Sequence, residues 1–224
     1  MYLPSKLTVE HRPMSERKKP SNKSGLARGE ARLRLLDAAL QVIREKGYAA
    51  SSVDDICQAA GVTKGAFFHH FAAKEDLAVA AADHFAAMAD SIFSAAPYRA
   101  LPRAKDRVIG YVRFRQAIMD RALAEFTCLL GTMVQEAYDT HPVIRTACDR
   151  HMSDHARMVQ TDIEAAIVEE GLAPTWSAES LAYYTQAVMQ GSFIFAKAKH
   201  GPAIARANLD HLIAYLDLAL SQKP

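Results

Sequence analysis

An all-α fold of about nine helices is predicted by three features of the 224-residue sequence. Apolar residues recur at intervals of three and four through most of the chain, as on a helix that buries one face. Strict apolar–polar alternation of β-branched residues, the mark of a half-buried strand, is absent. Gly or Pro stands at the breaks between apolar stretches, where a left-handed residue or a missing N–H ends a helix. Half of the residues are hydrophobic, enough for one large or two smaller cores.

Each element has its own local reason. Residues 1–27 hold Pro4, Pro13, Pro20 and a basic cluster at Arg17, Lys18, Lys19 and Lys23. With little to bury, they are expected to form a disordered basic arm. It serves either as a solubilising tail or as an arm adding phosphate and minor-groove contacts. From about Arg28 to Lys46, Leu33, Leu36, Leu40 and Ile43 recur at helical spacing, and Gly47 is a natural stop. Ser52 is an N-cap, with Asp55 completing a capping box. Val53, Ile56, Ala59 and Ala60 give the next helix its apolar face, and Gly61 ends it. Thr63 caps a following helix, Lys64 to His70, which is too short to be stable unless neighbours hold it.

Ala-rich sequence from Leu77 to Phe93 predicts a connecting helix, and Pro97 and Pro102 bracket a break. Further helices are expected at about 104–119, 121–138, 142–170, 178–199 and 203–221. Pro142 suits a helix start. Gly171 and Pro174 close the long helix, and Gly201-Pro202 separates the last two. This divides the chain into a unit at 28–75 and a larger one at 76–224.

Two short helices joined by a tight Gly turn have the geometry of a DNA-binding helix-turn-helix. Charge is distributed to match. Residues 1–75 carry 13 Lys and Arg against 8 Asp and Glu, and the rest 14 against 17. A basic first third on a mildly acidic remainder suits a nucleic-acid-binding module attached to a part that is not one. Cys57, Cys128 and Cys148 form no CxxC pair, which argues against a disulfide framework and fits a reducing cytoplasm. No apolar run approaches the roughly 18 residues of a membrane span, and no signal-peptide core is visible. A cytoplasmic protein without membrane contact is expected. There is no Gly-rich phosphate loop, nucleophile elbow or usefully spaced carboxylate pair, so neither an enzyme nor a cofactor is expected.

Val62-Thr63-Lys64-Gly65-Ala66-Phe67-Phe68-His69-His70-Phe71, followed by Lys74-Glu75-Asp76-Leu77, resembles the TetR family of bacterial transcriptional repressors. Ile56, Ala59-Ala60-Gly61-Val62 and the Leu36-to-Gly47 helix fit as well, so the resemblance covers about residues 30–80. It implies an Ω-shaped homodimer with N-terminal DNA-binding domains and C-terminal domains that bind an inducer. Thr63, Lys64, Gly65 and Ala66 would open the recognition helix, where backbone N–H groups and small side chains approach DNA closely. Lys64 would reach phosphate or a guanine edge. The resemblance implies that His69 faces bases and that His70 contacts phosphate; Lys74 can bind the phosphate backbone. Phe68 stands where the family commonly has Tyr, which removes a hydroxyl that can bond phosphate. Ala73 replaces the usual capping Ser.

The resemblance makes residues 178–221 the homodimer surface, which a palindromic operator on double-stranded DNA requires. Their apolar faces hold Leu181, Tyr184, Val188, Gly191 and Phe195, then Ile204, Leu209, Leu212, Leu216 and Leu220. Candidate lining residues for a small-molecule inducer are Phe126, Cys128, Leu129, Met133, Tyr138, Met152, His155, Met158, Tyr183, Met189 and Phe193, although such a stripe also suits plain core. Cys128-Leu129-Leu130-Gly131 resembles a stretch in a TetR subgroup that includes regulators responding to reactive electrophiles or to small unsaturated acids, in some of which the cysteine is the sensor, so thiol sensing at Cys128 is an alternative mode of release. A thiolate beside a cation is nucleophilic, and Lys197 or Lys199 could supply the cation. Cys148, His151 and His155 share a helical face at a spacing seen in zinc sites, but no fourth ligand is fixed and no metal is expected. A function of another class, a small-molecule-binding adaptor with a relic helix-turn-helix, also accommodates these features.

Overall fold

The computed structural model describes residues 22–221, with ten α-helices and two 3₁₀ turns among them. In chain order these are α1 (Asn22–Lys46), α2 (Val53–Ala60), α3 (Lys64–His70), α4 (Lys74–Ser94), α5 (Ala104–Ala117), α6 (Leu123–Phe126), α7 (Leu129–Ala137), α8 (Pro142–Glu170), α9 (Ala178–Ala198) and α10 (Ala203–Ala219). The 3₁₀ turns are Pro97–Ala100 and Ile118–Asp120. Helix α1 begins earlier than the Arg28 expected from sequence. The remainder of the expected arm, residues 1–21, lies outside the described residues.

The expected helix at 121–138 is two helices. Thr127 and Cys128 are extended, with ψ of 157° and 122°, which separates α6 from α7. The Thr127 hydroxyl donates to the Leu123 carbonyl at 2.7 Å, and Cys128 Sγ accepts the Gly131 N–H at 3.5 Å. These side chains take the capping roles that short polar groups play at helix ends. Cys128 thereby becomes the N-cap of α7.

Helices α1 to α4 enclose the first core. Leu35, Leu36, Ala39, Leu40 and Ile43 line it from α1, whereas Leu33 is half exposed. Ile56, Cys57 and Ala60 close it from α2, Ala59 facing outward, and Phe67 with Phe71 closes it below α3. The same core continues into Leu129, Leu130 and Met133 of α7 and Ile144, Ala147 and Cys148 of α8. The helix-turn-helix unit is therefore not separately packed. A second core joins the end of α4 to α5, the C-terminal half of α8, α9 and α10. Within it Asp162 receives both Arg99 and Arg107, pinning the first 3₁₀ turn and α5 onto α8. Burying one carboxylate under two guanidiniums is tolerable only because each is paired.

Local signals at the helix ends act as the sequence indicates. The Ser52 hydroxyl accepts the Asp55 N–H, and the Asp55 carboxylate accepts the Ser52 N–H at 2.9 Å. Gly61 is left-handed, with φ 63° and ψ 38°. At Ala73 half of a capping box survives, because Asp76 accepts the Ala73 N–H at 2.9 Å. Gly47 has φ 91°, and the Glu136 carboxylate of α7 lies where a Cβ on Gly47 would stand. The same carboxylate accepts the Ala49 N–H at 2.7 Å, tying α7 to the turn after α1.

Gly47→Ala therefore faces both an unfavourable φ and displacement of that carboxylate. A loss of about 1–3 kcal/mol is expected, the cost of a strained backbone position. Urea denaturation measures it, and unchanged stability would show that the turn relaxes freely.

Candidate DNA-reading helix and ligand cavity

Helix α3 is held from below and free above. Phe67 is fully buried, Phe71 is nearly so, and the Arg32 guanidinium lies 5.4 Å from the Phe71 ring centroid. The Thr63 hydroxyl accepts the Ala66 N–H at 3.2 Å, fixing the first turn. Thr63, Lys64, Gly65 and His69 are exposed, and a Cβ built on Gly65 would meet only the Thr63 hydroxyl at 3.8 Å. Ala66 and His70 are half-buried, the His69 and His70 rings lying edge to face. Lys64 Nζ pairs with Asp54 at 2.8 Å, and this partner raises its pKa. Both groups are mostly exposed, so the pair is weak and can open toward a stronger anion. Phe68, 57% exposed, stands on the same outward surface.

Lys74 departs from the sequence expectation of a phosphate contact. Its ammonium donates to the Tyr48 carbonyl at 2.9 Å and the Ser51 carbonyl at 2.8 Å, 4.3 Å from the Tyr48 ring centroid. Those carbonyls follow the end of α1 and lack helical partners, so a cation satisfies them. Withdrawal from water lowers the Lys74 pKa. Its role is to bind the α1–α2 turn to the start of α4.

Among helices α4, α5, α7, α8 and α9 lies a cavity of about 570 Å³ including its mouth. Phe85, Ala86, Ala89 and Phe93 line it from α4, with Leu130 and Met152 opposite. Its polar lining comes from Arg115, Cys128, His151, His155, Gln186, Gln190 and Asp90. Of the residues singled out from sequence, the structure brings Cys128, Met152 and His155 together here. The others lie elsewhere. Leu129 and Met133 are fully buried in the first core, because α7 packs onto the DNA-reading unit. Phe126 and Met189 are buried in the second core, and Met158 packs against it. Tyr138 is 60% exposed at the end of α7, and Tyr183 faces outward with its hydroxyl on Ser153 at 3.1 Å. Phe193 lines a neighbouring hollow with Cys128, Thr132 and Lys197.

Sequence reading passed over Phe85, Phe93, Arg115, Gln186 and Gln190. Arg115 had a usable signal, since it follows Val108 and Tyr111 on the buried stripe of α5 at intervals of seven and four. A lone Arg on an apolar stripe marks either a buried ion pair or a site.

His155 and Tyr111 set the polarity of the cavity floor. The Tyr111 hydroxyl is 2.8 Å from His155 Nε2 and accepts the Gln186 amide at 3.0 Å. Loss of water contact, reinforced by Arg115, pushes the His155 pKa down to about 3. The ring is thus neutral at physiological pH. Cys148, His151 and His155 do not converge: Cys148 is buried in the first core, its thiol pKa pushed up to about 12 by burial, and His151 Nε2 sits 2.7 Å from Asp83. Among the described residues no group of three or more His, Cys, Asp or Glu is placed to hold a metal ion. Cys128 is half-buried, with Arg44 and Lys197 within electrostatic range. Lys197 Nζ donates to the Thr132 hydroxyl at 2.9 Å, and burial lowers its pKa.

Since His155 titrates lower in the folded chain than its unfolded value of about 6.5, the unfolded state binds the extra proton. Its contribution to stability is complete above pH ~6.5 and falls as pH drops toward 3, by at most about 1.4 kcal/mol per pH unit. His155→Gln is expected to flatten the acid limb of stability over that window, measured by urea denaturation at several pH values. An unchanged limb would show that the ring is hydrated when folded.

The model for "Bacterial regulatory proteins, tetR family" matches residues 35–81, and that for "Tetracyclin repressor-like, C-terminal domain" matches residues 104–212. The chain is 28% identical over 200 residues to the HTH-type transcriptional repressor DhaR of Mycobacterium sp. (strain GP1), covering 87% of this chain and 94% of that one. It is 28% identical over 176 residues to the transcriptional regulator AcuR of Cereibacter sphaeroides, covering 77% and 68%. A TetR transcriptional regulator from Chloroflexus aurantiacus superposes with a TM-score of 0.76 at 24% identity, covering 86% of this chain and 96% of that one. The chain belongs to the TetR family of transcriptional regulators.

Proposed function

We propose that the protein is a homodimeric, ligand-responsive repressor that leaves a palindromic operator when a small molecule occupies the cavity. One observation carries this reading: α4 starts at the helix-turn-helix and lines the cavity with Phe85, Ala86, Ala89 and Phe93. His84 holds α4 to Asp37 of α1 at 2.7 Å, while Asp83 holds it to His151 of α8. A ligand that prefers a different tilt of α4 would change the separation of the two recognition helices, and only such differential affinity can drive release. Thr63, Lys64, Gly65, Ala66, His69 and His70 form the proposed DNA-reading surface, with Lys74 supporting it from behind. No helix among the described residues is long and apolar enough to cross a membrane, which is compatible with action on DNA in the cytoplasm.

The proposed dimer face is on α9 and α10. Tyr184, Ile194, Phe195, Ile204, Tyr215 and Leu218 are each at least 40% exposed, and Tyr184 and Tyr215 rings pack at 5.2 Å. Leu181, Leu209, Leu212, Leu216 and Leu220, grouped with that face on the basis of sequence, are instead buried in the chain's own second core. An exposed apolar patch on two adjacent helices requires a partner, and a two-fold partner suits two half-sites one DNA turn apart. Thiol sensing is supported as a second reading by the position of Cys128 between the cavity and the Lys197 hollow.

Fluorescence anisotropy on DNA from upstream of its own gene tests the repressor reading at two salt concentrations. Tight, salt-sensitive, sequence-selective binding is expected. Lys64→Glu should weaken binding at least about 10-fold, with the salt slope smaller by about 1. Phe195→Asp should yield monomers by sedimentation and weak operator binding. If Lys64→Glu leaves binding to every DNA unchanged, the adaptor reading gains instead. Cys128→Ser should retain release by a noncovalent ligand and lose release by an electrophile if the thiol is the sensor.

A further inference from the structure

Phe68 is an apolar side chain on a surface built of polar and small ones. It is 57% exposed, whereas its neighbours Phe67 and Phe71 are buried in the first core. Thr63, Lys64, Gly65 and His69 share its exposure. Lys64 precedes Phe68 by four residues, so the two lie on one stripe of α3, a turn apart. Gly65 and His69 form the next stripe, and the space above Gly65 is open beyond the Thr63 hydroxyl. The Phe68 ring meets fully buried Phe67 edge to face at a centroid distance of 5.1 Å, which braces it from the core side. Its exposed area adds little to the fold, since an aromatic side chain stabilises through the surface it buries.

We propose that Phe68 reads a thymine in each half-site of the operator, its ring covering the 5-methyl group in the major groove. This rests on the DNA-reading surface proposed above. DNA offers such a ring few complements. An apolar ring set on a phosphate would strip its water and return no hydrogen bond. Base edges in the major groove are donors and acceptors except at thymine, where the methyl group is apolar. Lys64, on the same stripe, supplies the charge that draws this edge of the helix to the duplex. Gly65 and Ala66 let the first turn approach closely, which carries the ring, one turn on, toward the base edges.

The contact assigns selectivity rather than the electrostatic part of affinity. Phe68 neutralises no phosphate, so it adds nothing to counterion release. A ring lying on deoxyribose would also be covered, but it would carry no base preference, because the sugar is the same at every position.

In the test, the full chain first selects its operator from random-sequence duplexes. Each thymine of both half-sites is then replaced in turn by deoxyuridine, which lacks only the methyl group, and binding is followed by fluorescence anisotropy. At one symmetric pair of positions the exchange should weaken wild-type binding about 4-fold per methyl group, and about 15-fold for both. At that pair Phe68→Ala should bind thymine and deoxyuridine operators equally and keep the wild-type salt slope. Phe68→Leu should retain part of the preference. Phe68 is exposed, so these variants are expected to keep the fold, as their urea midpoints would show. Absence of any deoxyuridine-sensitive pair in the wild type would overturn the inference and indicate a ring on deoxyribose. Sensitivity that persists at full size in Phe68→Ala would overturn it too, placing the methyl group on another residue such as Ala66. A smaller salt slope in Phe68→Ala would do the same by marking a phosphate role. Failure to select any sequence would remove the repressor reading and this inference with it, whereas a selected operator indifferent to deoxyuridine removes the inference alone.

Discussion

Leu129, Leu130 and Met133 of α7 fill the same core as Leu36, Ile56, Phe67 and Leu77, and the DNA-reading unit depends on that shared core. Three helices of which one has seven residues bury too little surface to fix a recognition helix rigidly. Here α7 and the start of α8 complete the core, and Glu136 adds a directed bond to the Ala49 N–H. Lys74 then ties the same turn to α4. The position of α3 is consequently set by helices that also border the cavity, so strain at one end has a packed route to the other.

Such a route requires elements with distinct arrangements rather than a soft medium, because close-packed interiors deform little. Helix α7 is short and capped at the cavity end by Cys128, whose thiol borders two hollows. Helix α4 is longer and anchored on both sides through Asp83 and His84. These anchors are single hydrogen bonds between a His ring and an exposed Asp, of modest strength in water. They position α4 without locking it, as the proposed tilt of this helix requires.

The polar groups around the cavity follow one economy. Tyr111, His155 and Gln186 satisfy one another, and Asp162 satisfies two arginines deeper in the second core. Two buried polar atoms among the described residues stand outside it, the Tyr98 hydroxyl and the Arg115 Nε, neither of which has a hydrogen-bond partner.

The sequence by itself determined the elements and the DNA-reading motif. Local physics suffices there: the Ser52–Asp55 box, left-handed Gly61, the Thr63 cap and helical spacing of Phe67 and Phe71 act within a few residues of one another. It also predicted nearly every helix, missing the break at Thr127–Cys128, where side chains compete with backbone hydrogen bonds. Tertiary structure alone decided which apolar stripe is core and which is lining, since period 3.6 gives a buried face but not what covers it. Leu129 and Met133 went to the first core, Met189 beneath Tyr111, and Tyr138 to the surface. Lys74 turned inward because the Tyr48 and Ser51 carbonyls, 26 and 23 residues upstream, fold back against it. Arg115 acquired its surroundings in the same way, from Phe93 and Phe193, which only the packing of α4 and α9 places beside it.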